Sequence, residues 1–349
     1  MSAGPQRVAE IGEFELIERL RRLAGPPTED VVVGIGDDVA VIATSTGRRT
    51  VVTCDAQVEG THFDLARRDP ERLGRKAAAI NLSDIAAAGG RPRHALVSLV
   101  LAPETPVVLV ESLYRGLVAE LSRFGACIVG GNLASGERLV VDVTLFGDVE
   151  PRRLLRRSGA RVGDRLLVTG TLGAAAAGLR LASEPSLGVS PSARQRADEA
   201  FETPRARIGE VQTALDCGGV HAAIDVSDGL AADLAHLCDA SDVGVELDAA
   251  SLPIDPAARE VARAAGLDVL HLALGGGEDY ELLLAVGPAA VDRLSSAVAE
   301  RTGTPITPIG TIVDRTAGRR LVGPGGTSPL GRLGFRHFET NGPSQNSGS

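Results

Sequence analysis

Four short segments set aspartates beside glycine, hydroxyl residues or apolar runs: Gly34-Ile35-Gly36-Asp37-Asp38, Thr53-Cys54-Asp55, Asn81-Leu82-Ser83-Asp84 and Asp225-Val226-Ser227-Asp228-Gly229. Surface acids more often sit among Lys, Arg and Glu on a solvated helix face. Asp84 instead lies inside Lys76-Ala77-Ala78-Ala79-Ile80-Asn81-Leu82-Ser83-Asp84-Ile85-Ala86-Ala87-Ala88-Gly89, a run apolar enough to be a buried helix. A carboxylate there needs a partner, because an isolated buried charge is very costly. Two carboxylates about 4 Å apart repel by roughly 1 kcal/mol in water and about 4 kcal/mol at an effective dielectric of 20. Converging aspartates therefore imply bound cations. An all-oxygen donor set without paired His or Cys points to Mg2+ or another hard ion, most often with a phosphate substrate.

The elements that must carry these acids are read from periodicity and from turn residues. Residues 13–23 repeat apolar positions at helical spacing, and Gly25-Pro26-Pro27 stops that helix. Residues 31–33 and 50–53 read as strands leading into acidic loops, 72–88 as a helix, 94–101 as a strand and 107–124 as a helix. Residues 127–129 form a short strand ending in Gly130-Gly131-Asn132, and 138–146 another strand. A second unit begins near Gly163-Asp164, with a strand over 165–169 and a glycine turn into an Ala-rich helix from 170. That turn lacks the Lys-Ser/Thr of a Walker loop, so close helix packing explains its glycines. Residues 183–193 read as a loop and 204–215 as a helix with Pro204 in its first turn. Residues 222–226 form a strand delivering Asp225 and Asp228 to the head of a helix, where Asp228 would also serve as a cap. Strands over 245–247, 281–285 and 308–313 and helices over 260–265 and 291–301 complete the pattern. Strands and helices alternate in both halves, as in two α/β units.

At 349 residues and 44% hydrophobic content the chain is long enough for two packed units. Ala, Val and Leu supply most of that content, and aromatics only 3%. A net charge of −9 without a basic stripe argues against nucleic acid, and means that a polyanion would be repelled unless cations neutralise the site. The densest basic run is Glu150-Pro151-Arg152-Arg153-Leu154-Leu155-Arg156-Arg157-Ser158, where Arg157 is a candidate phosphate contact and a solvated linker the plainer reading. The four cysteines, Cys54, Cys127, Cys217 and Cys238, form no CxxC pair and read as free thiols of a reducing cytoplasm. The start has no leader-like character and no uncharged run reaches bilayer length, so a soluble cytoplasmic protein without a membrane partner is expected. The polar tail 339–349 is expected to be disordered.

Taken together the segments resemble the thiamine-monophosphate kinase family. The resemblance runs from Gly12-Glu13-Phe14-Glu15-Leu16-Ile17 through the four acidic segments, with Asp55 continuing into Ala56-Gln57-Val58-Glu59-Gly60-Thr61-His62-Phe63. It also takes in Gly130-Gly131-Asn132, Arg157-Ser158-Gly159-Ala160, Gly276-Gly277-Glu278-Asp279-Tyr280-Glu281 and Gly334-Phe335-Arg336-His337-Phe338, so it covers residues 12–338. It implies a two-domain fold of the aminoimidazole-ribonucleotide synthetase (PurM-like) class, mixed α/β. Residues 1–155 would bind ATP and Mg2+ and dimerise through a shared β-barrel, and 156–338 would form the C-terminal α/β domain.

The implied activity is transfer of the γ-phosphoryl group of ATP to thiamine monophosphate. A phosphate acceptor is already ionised, so no catalytic base is needed and positioning with charge neutralisation suffices. By the family pattern Asp38, Thr53, Cys54, Asp55, Asp84, Asn132, Asp225 and Asp228 would hold several Mg2+ ions. Gly131, Asn132, Arg157 and Ser227 would contact ATP, while His62, Glu278 and Phe335 would face the thiamine phosphate. The family commonly has Gly-Gly-Asp where this chain has Gly130-Gly131-Asn132, and a hydroxyl where it has Cys54. Asparagine coordinates through a neutral oxygen and supplies no charge, so the number of ions stays open. Two other readings stay open as well: a non-catalytic nucleotide- or thiamine-phosphate-binding paralogue, and another ATP-dependent enzyme of the same fold class.

Overall fold

The computed structural model describes residues 31–34, 36–44, 47–331 and 334. The helix expected over 13–23, the tail 339–349 and Phe335 lie outside the described residues. Two sheets form the frame. The first has six strands in the order β1 (Val31–Val33), β2 (Ala40–Ala43), β3 (Arg49–Val58), β6 (Val140–Val149), β4 (Arg91–Leu101) and β5 (Cys127–Ser135). The pairs are antiparallel except β4 with β5. β5 continues through Gly130 and Gly131 to Ser135, longer than the strand expected at 127–129, because Gly131 lets it approach β4. A Cβ at Gly131 would stand 1.8 Å from the Val97 carbonyl oxygen.

β6 alternates strictly between half-buried and buried residues, which is the pattern of a strand covered on one face. The cover is α1 (Pro70–Ala87), crossed by α2 (Val107–Ser122). Asp69 caps α1 by accepting the N–H groups of Glu71 and Arg72 at 2.8 and 3.0 Å, with Pro70 in the first turn. Its alanines and Gly74 let α2 come unusually close. A Cβ at Gly74 would meet the Leu113 carbonyl oxygen at 2.0 Å, and one at Gly116 the Glu71 carbonyl oxygen at 1.9 Å.

The second sheet has seven strands: β13 (Gly326–Pro329), β12 (Arg319–Gly323), β9 (Gly244–Asp248), β11 (Ile306–Val313), β7 (Arg165–Thr169), β10 (Leu282–Val286) and β8 (Val220–Asp225). Only β12 with β9 is parallel, so neither sheet is the parallel sheet that alternating strands and helices would give. Period-two alternation splits its residues between two cores. Leu167, Ala223, Leu282 and Leu284 join the core of the first sheet, together with α5 (Ile208–Cys217) and α9 (Val291–Thr302). Leu166, Val168, Ile224 and Leu283 face the other core, with α3 (Ala174–Ser183), α6 (Leu230–Ser241), α7 (Pro256–Ala265) and α8 (Val269–Gly275). The apolar core under α1 is therefore continuous between the sheets.

Two expectations are corrected here. Residues 191–202, placed partly in a loop, form α4 (Pro191–Glu202), which buries Ala193, Ala197 and Phe201 at spacing i, i+4, i+8. Pro204 lies before α5 rather than inside its first turn. Replacing Gly116 with alanine should force α1 and α2 apart and cost about 1–3 kcal/mol of stability. Urea denaturation measures this, and an unchanged midpoint would contradict the close crossing.

Candidate active site

β3 is clasped by β2 only as far as Val52, which pairs with Ala40, so its continuation past Thr53 borders the loop that carries Asp37 and Asp38. Thr53 is buried on the α1 side and its hydroxyl donates to Asp84 Oδ2 across the helix–sheet interface. One residue earlier on α1, the Ser83 hydroxyl donates at 2.6 Å to Asp225 Oδ2, at the end of β8 in the second sheet. Adjacent residues of one helix thus bring together acids of both halves, Asp84 itself and, through Ser83, Asp225. Asp38 joins them through Arg157, whose Nη2 and Nε lie 2.5 and 3.1 Å from Asp38 Oδ1. Asp37 braces this loop, its Oδ1 accepting the Asp38 N–H at 2.9 Å.

Asp38, Asp84 and Asp225 each offer a carboxylate oxygen within 4.8 Å of the others. Burial, then the charges of Asp225, Asp55 and Asp38, push the Asp84 carboxyl well above the usual range, against the Thr53 hydrogen bond. Burial and the Asp38 charge push Asp225 up to about 7, against Ser83 and Arg157. Burial opposes the Arg157 charge, but Asp38, Asp37 and Asp225 hold its proton more tightly than usual. Without cations the cluster is a proton-holding site. Its donor set is all oxygen and anionic, which suits a hard divalent ion. Asp38, Asp84 and Asp225 would hold such an ion with one oxygen each, since these oxygens lie within 4.8 Å of one another.

The turn after β8 is held from behind. Asp233, buried in the first turn of α6, accepts the N–H groups of Ser227, Asp228 and Gly229 on one oxygen at 3.1, 3.1 and 3.0 Å. Asp228 is not the helix cap: Gly229 occupies that position with φ 118°, and Asp233 satisfies the N–H groups. The segment Gly276–Glu281 is tied down acid by acid. Glu278 pairs with Lys76 of α1 at 2.9 Å, and its N–H donates to the Ser227 carbonyl at 2.6 Å. Asp279 accepts the Gly173 N–H at 2.9 and 3.1 Å, at the head of α3. Glu281 takes the Arg207 guanidinium at 2.5 and 2.7 Å and the Thr169 hydroxyl at 2.6 Å. Glu278 and Tyr280 adopt left-handed backbone, φ 67° and 49°, a strain of order 1–3 kcal/mol each that these anchors sustain.

The remaining candidate residues divide by position. Asp55 is exposed beside the cluster, and its charge helps raise both Asp84 and Asp225. His62 follows β3, its Nδ1 accepting the Val58 N–H at 3.1 Å. The Cys54 side chain does not reach the cluster. Strand alternation turns it to the opposite face, where it lies 3.1 Å from Asp142 Oδ1 and 3.3 Å from the Thr144 hydroxyl. Gly131 and Asn132 are not brought there either: Asn132 pairs with Ser98 on edge strand β5, with β4 and β6 between it and β3. Sequence reasoning missed Lys76, Asp233, Asp279 and Arg207. A lysine inside an alanine run was the one available signal, since Asp233 and Asp279 act on main-chain N–H groups.

Raised carboxyls in the folded state mean that the unfolded chain binds fewer protons between about pH 4 and pH 7. Stability from Asp225 is then greatest below the ordinary aspartate range and is lost as pH rises toward about 7. Cation-free protein should be less stable at pH 8 than at pH 5.5, by on the order of a few kcal/mol, and Asp225→Asn should flatten the difference. Thermal melts in chelator across that range test this, and a profile of equal slope in the variant would contradict it.

Residues 36–149 match the family model for AIR synthase related protein, N-terminal domain, and residues 161–323 the model for AIR synthase related protein, C-terminal domain. The thiamine-monophosphate kinase of Mycobacterium tuberculosis (strain ATCC 25618 / H37Rv) is 41% identical over 281 residues, covering 80% of this chain and 82% of that one. That of Rhodopirellula baltica is 36% identical over 324 residues, covering 89% and 93%. The solved structure of AaThiL complexed with AMPPCP and TMP superposes with a TM-score of 0.82 at 31% identity, covering 96% of this chain and 100% of that one.

Proposed function

The chain belongs to the thiamine-monophosphate kinase family, and we propose that it transfers the γ-phosphoryl group of ATP to thiamine monophosphate, releasing ADP and thiamine diphosphate. The observation that carries this is the meeting of Asp38, Asp84 and Asp225 beside Arg157, with oxygens from both halves within 4.8 Å. A terminal phosphate oxygen of the acceptor attacks the γ-phosphorus while the bond to the β-bridging oxygen breaks. The acceptor is already ionised, so the protein supplies placement and charge complementarity rather than a base. Mg2+ bound to these acids would neutralise phosphate charge at the transferring group.

In this reading Asp38, Asp84 and Asp225, with Asp55 and Asp228 alongside, hold the ions. The Thr53 and Ser83 hydroxyls aim the carboxylates of Asp84 and Asp225, and Asp233 sets the turn bearing Ser227 and Asp228. Arg157 exchanges part of its contact with Asp38 for a nucleotide phosphate, the kind of planar donor that matches phosphate oxygens. His62 and Glu278, with Phe335 beyond the described residues, are assigned to the thiamine side. Thr53 remains a ligand candidate; a role for Cys54 falls to its main chain, since its thiol points away.

Residues 1–155 and 156–338 are assigned as the two domains, with the join in the arginine-rich stretch between the matched segments. The first is assigned to a homodimer whose β-barrel is completed by a second copy. Supporting this, Val129 and Leu133 of β5 and Val107 and Val108 of α2 are 59–72% exposed. Gly131 and Asn132 lie on that strand, so their assignment to ATP and metal depends on the same interface. No described helix is long and apolar enough to cross a membrane, and the cytoplasm is the assigned compartment.

A coupled assay of ADP release with thiamine monophosphate tests the activity; no product from folded protein at saturating substrates would overturn it. Asp84→Asn keeps shape and removes a charge, so it should fold yet lose about a hundredfold or more in turnover, roughly 3 kcal/mol of barrier. Near-normal turnover would make Asp84 structural. Light scattering should give about twice the 36.0 kDa chain mass, and Leu133→Lys should yield monomer. A monomeric parent at micromolar concentration would count against the dimer.

A further inference from the structure

Lys76 stands out as a buried cation that the phosphoryl-transfer chemistry does not use. Its side chain is 3% exposed, on the face of α1 that meets the second half of the molecule. Its ammonium donates to the Phe201 carbonyl at 2.9 Å, lies 4.2 Å from the centre of the Phe201 ring, and pairs with Glu278 Oε1 at 2.9 Å. Three contacts hold the ammonium, which leaves it little freedom. Arg68 lies over the same ring at 4.3 Å and pairs with Glu202, so Phe201 is held between two cations.

Stability alone does not account for this arrangement. A buried ion pair is often matched or bettered by apolar residues of similar volume, because desolvation consumes the Coulombic gain. What the pair provides is a fixed position for Glu278. That residue is 28% exposed at its side chain, so the ammonium lies inside the protein while the carboxylate stands where solvent begins. Its main chain is held in left-handed conformation by the hydrogen bond to Ser227, in the turn between Asp225 and Asp228. One carboxylate is thus located relative to the acid cluster by two anchors, one from each half.

We propose that Lys76 is a specificity-determining positioning residue: by holding one oxygen of Glu278 it presents the carboxylate as a hydrogen-bond acceptor for the aminopyrimidine end of thiamine monophosphate. This rests on the kinase reading above. A carboxylate paired with Lys76 accepts hydrogen bonds only, and so favours a substrate bearing an amino group over one bearing a carbonyl there.

Steady-state kinetics of Lys76→Met, Lys76→Arg and Glu278→Gln test it, using thiamine monophosphate and an analogue with a carbonyl in place of the pyrimidine amino group. Lys76→Met should raise KM for thiamine monophosphate at least tenfold, leave KM for ATP within twofold, and narrow the preference over the analogue. Lys76→Arg should recover most of the loss. Adding Lys76→Met to Glu278→Gln should cost little more than Glu278→Gln alone. A changed melting temperature with both KM values and the preference unaltered would overturn the proposal, as would full additivity. Should Lys76→Met fail to fold, Glu278→Gln and Lys76→Arg decide: unaltered preference in Glu278→Gln overturns it. Failure of the kinase reading is separate, since the parent protein would then form no thiamine diphosphate at all.

Discussion

Repulsion among Asp38, Asp84 and Asp225 is the constraint around which the rest is arranged. Three carboxylates from a loop, a helix and a strand end meet where water is largely excluded. Three donors contain them: the hydroxyls of Thr53 and Ser83, and the guanidinium of Arg157. Those donors do not cancel the repulsion, since Asp84 and Asp225 still hold protons far above the ordinary aspartate range. The cation-free fold therefore stores electrostatic free energy that binding a divalent ion would release. The apolar bulk of α1 and its two cores supplies the stability that tolerates this.

Around the cluster, acids with no direct role in charge transfer act as fasteners. Asp233 gathers three N–H groups of one turn, Asp279 takes the head of α3, and Glu281 locks onto Arg207 and Thr169. In a motif such as Gly-Gly-Glu-Asp-Tyr-Glu, neighbouring acids thus work in different directions. One side chain stands where solvent begins, and the others fix the strained backbone from which it projects.

Much of the frame could be read from residue order. The alanine run announced α1, and acids set at the ends of apolar runs pointed to the convergence of Asp38, Asp84 and Asp225. Helix α4 could not be read in this way, because its twelve residues bury only Ala193, Ala197 and Phe201 and most of the others are charged or polar. The direction of the Cys54 thiol was hidden for a different reason. Cys54 neighbours two candidate ligands in sequence, but a strand sends alternate side chains to opposite faces. Asn132 shows a third limit, for sequence order says nothing of how many strands separate two loops within a sheet. Asp233 and Asp279 were hidden because their partners are main-chain amides, which nearly every residue carries.

Helix α1 has one more implication. It lies on the first sheet, shares a continuous core with one face of the second, and sends Lys76, Ser83 and Asp84 to partners in both halves. Neither half can keep its own interior dry once the other has left. Two sheets in architecture thus share one of the two cores, and the place where the acids of both halves meet is a seam beside that shared core. Ligands entering that seam must be accommodated by side chains and turns at its rim, because parting the walls would mean exposing the interior that holds them up.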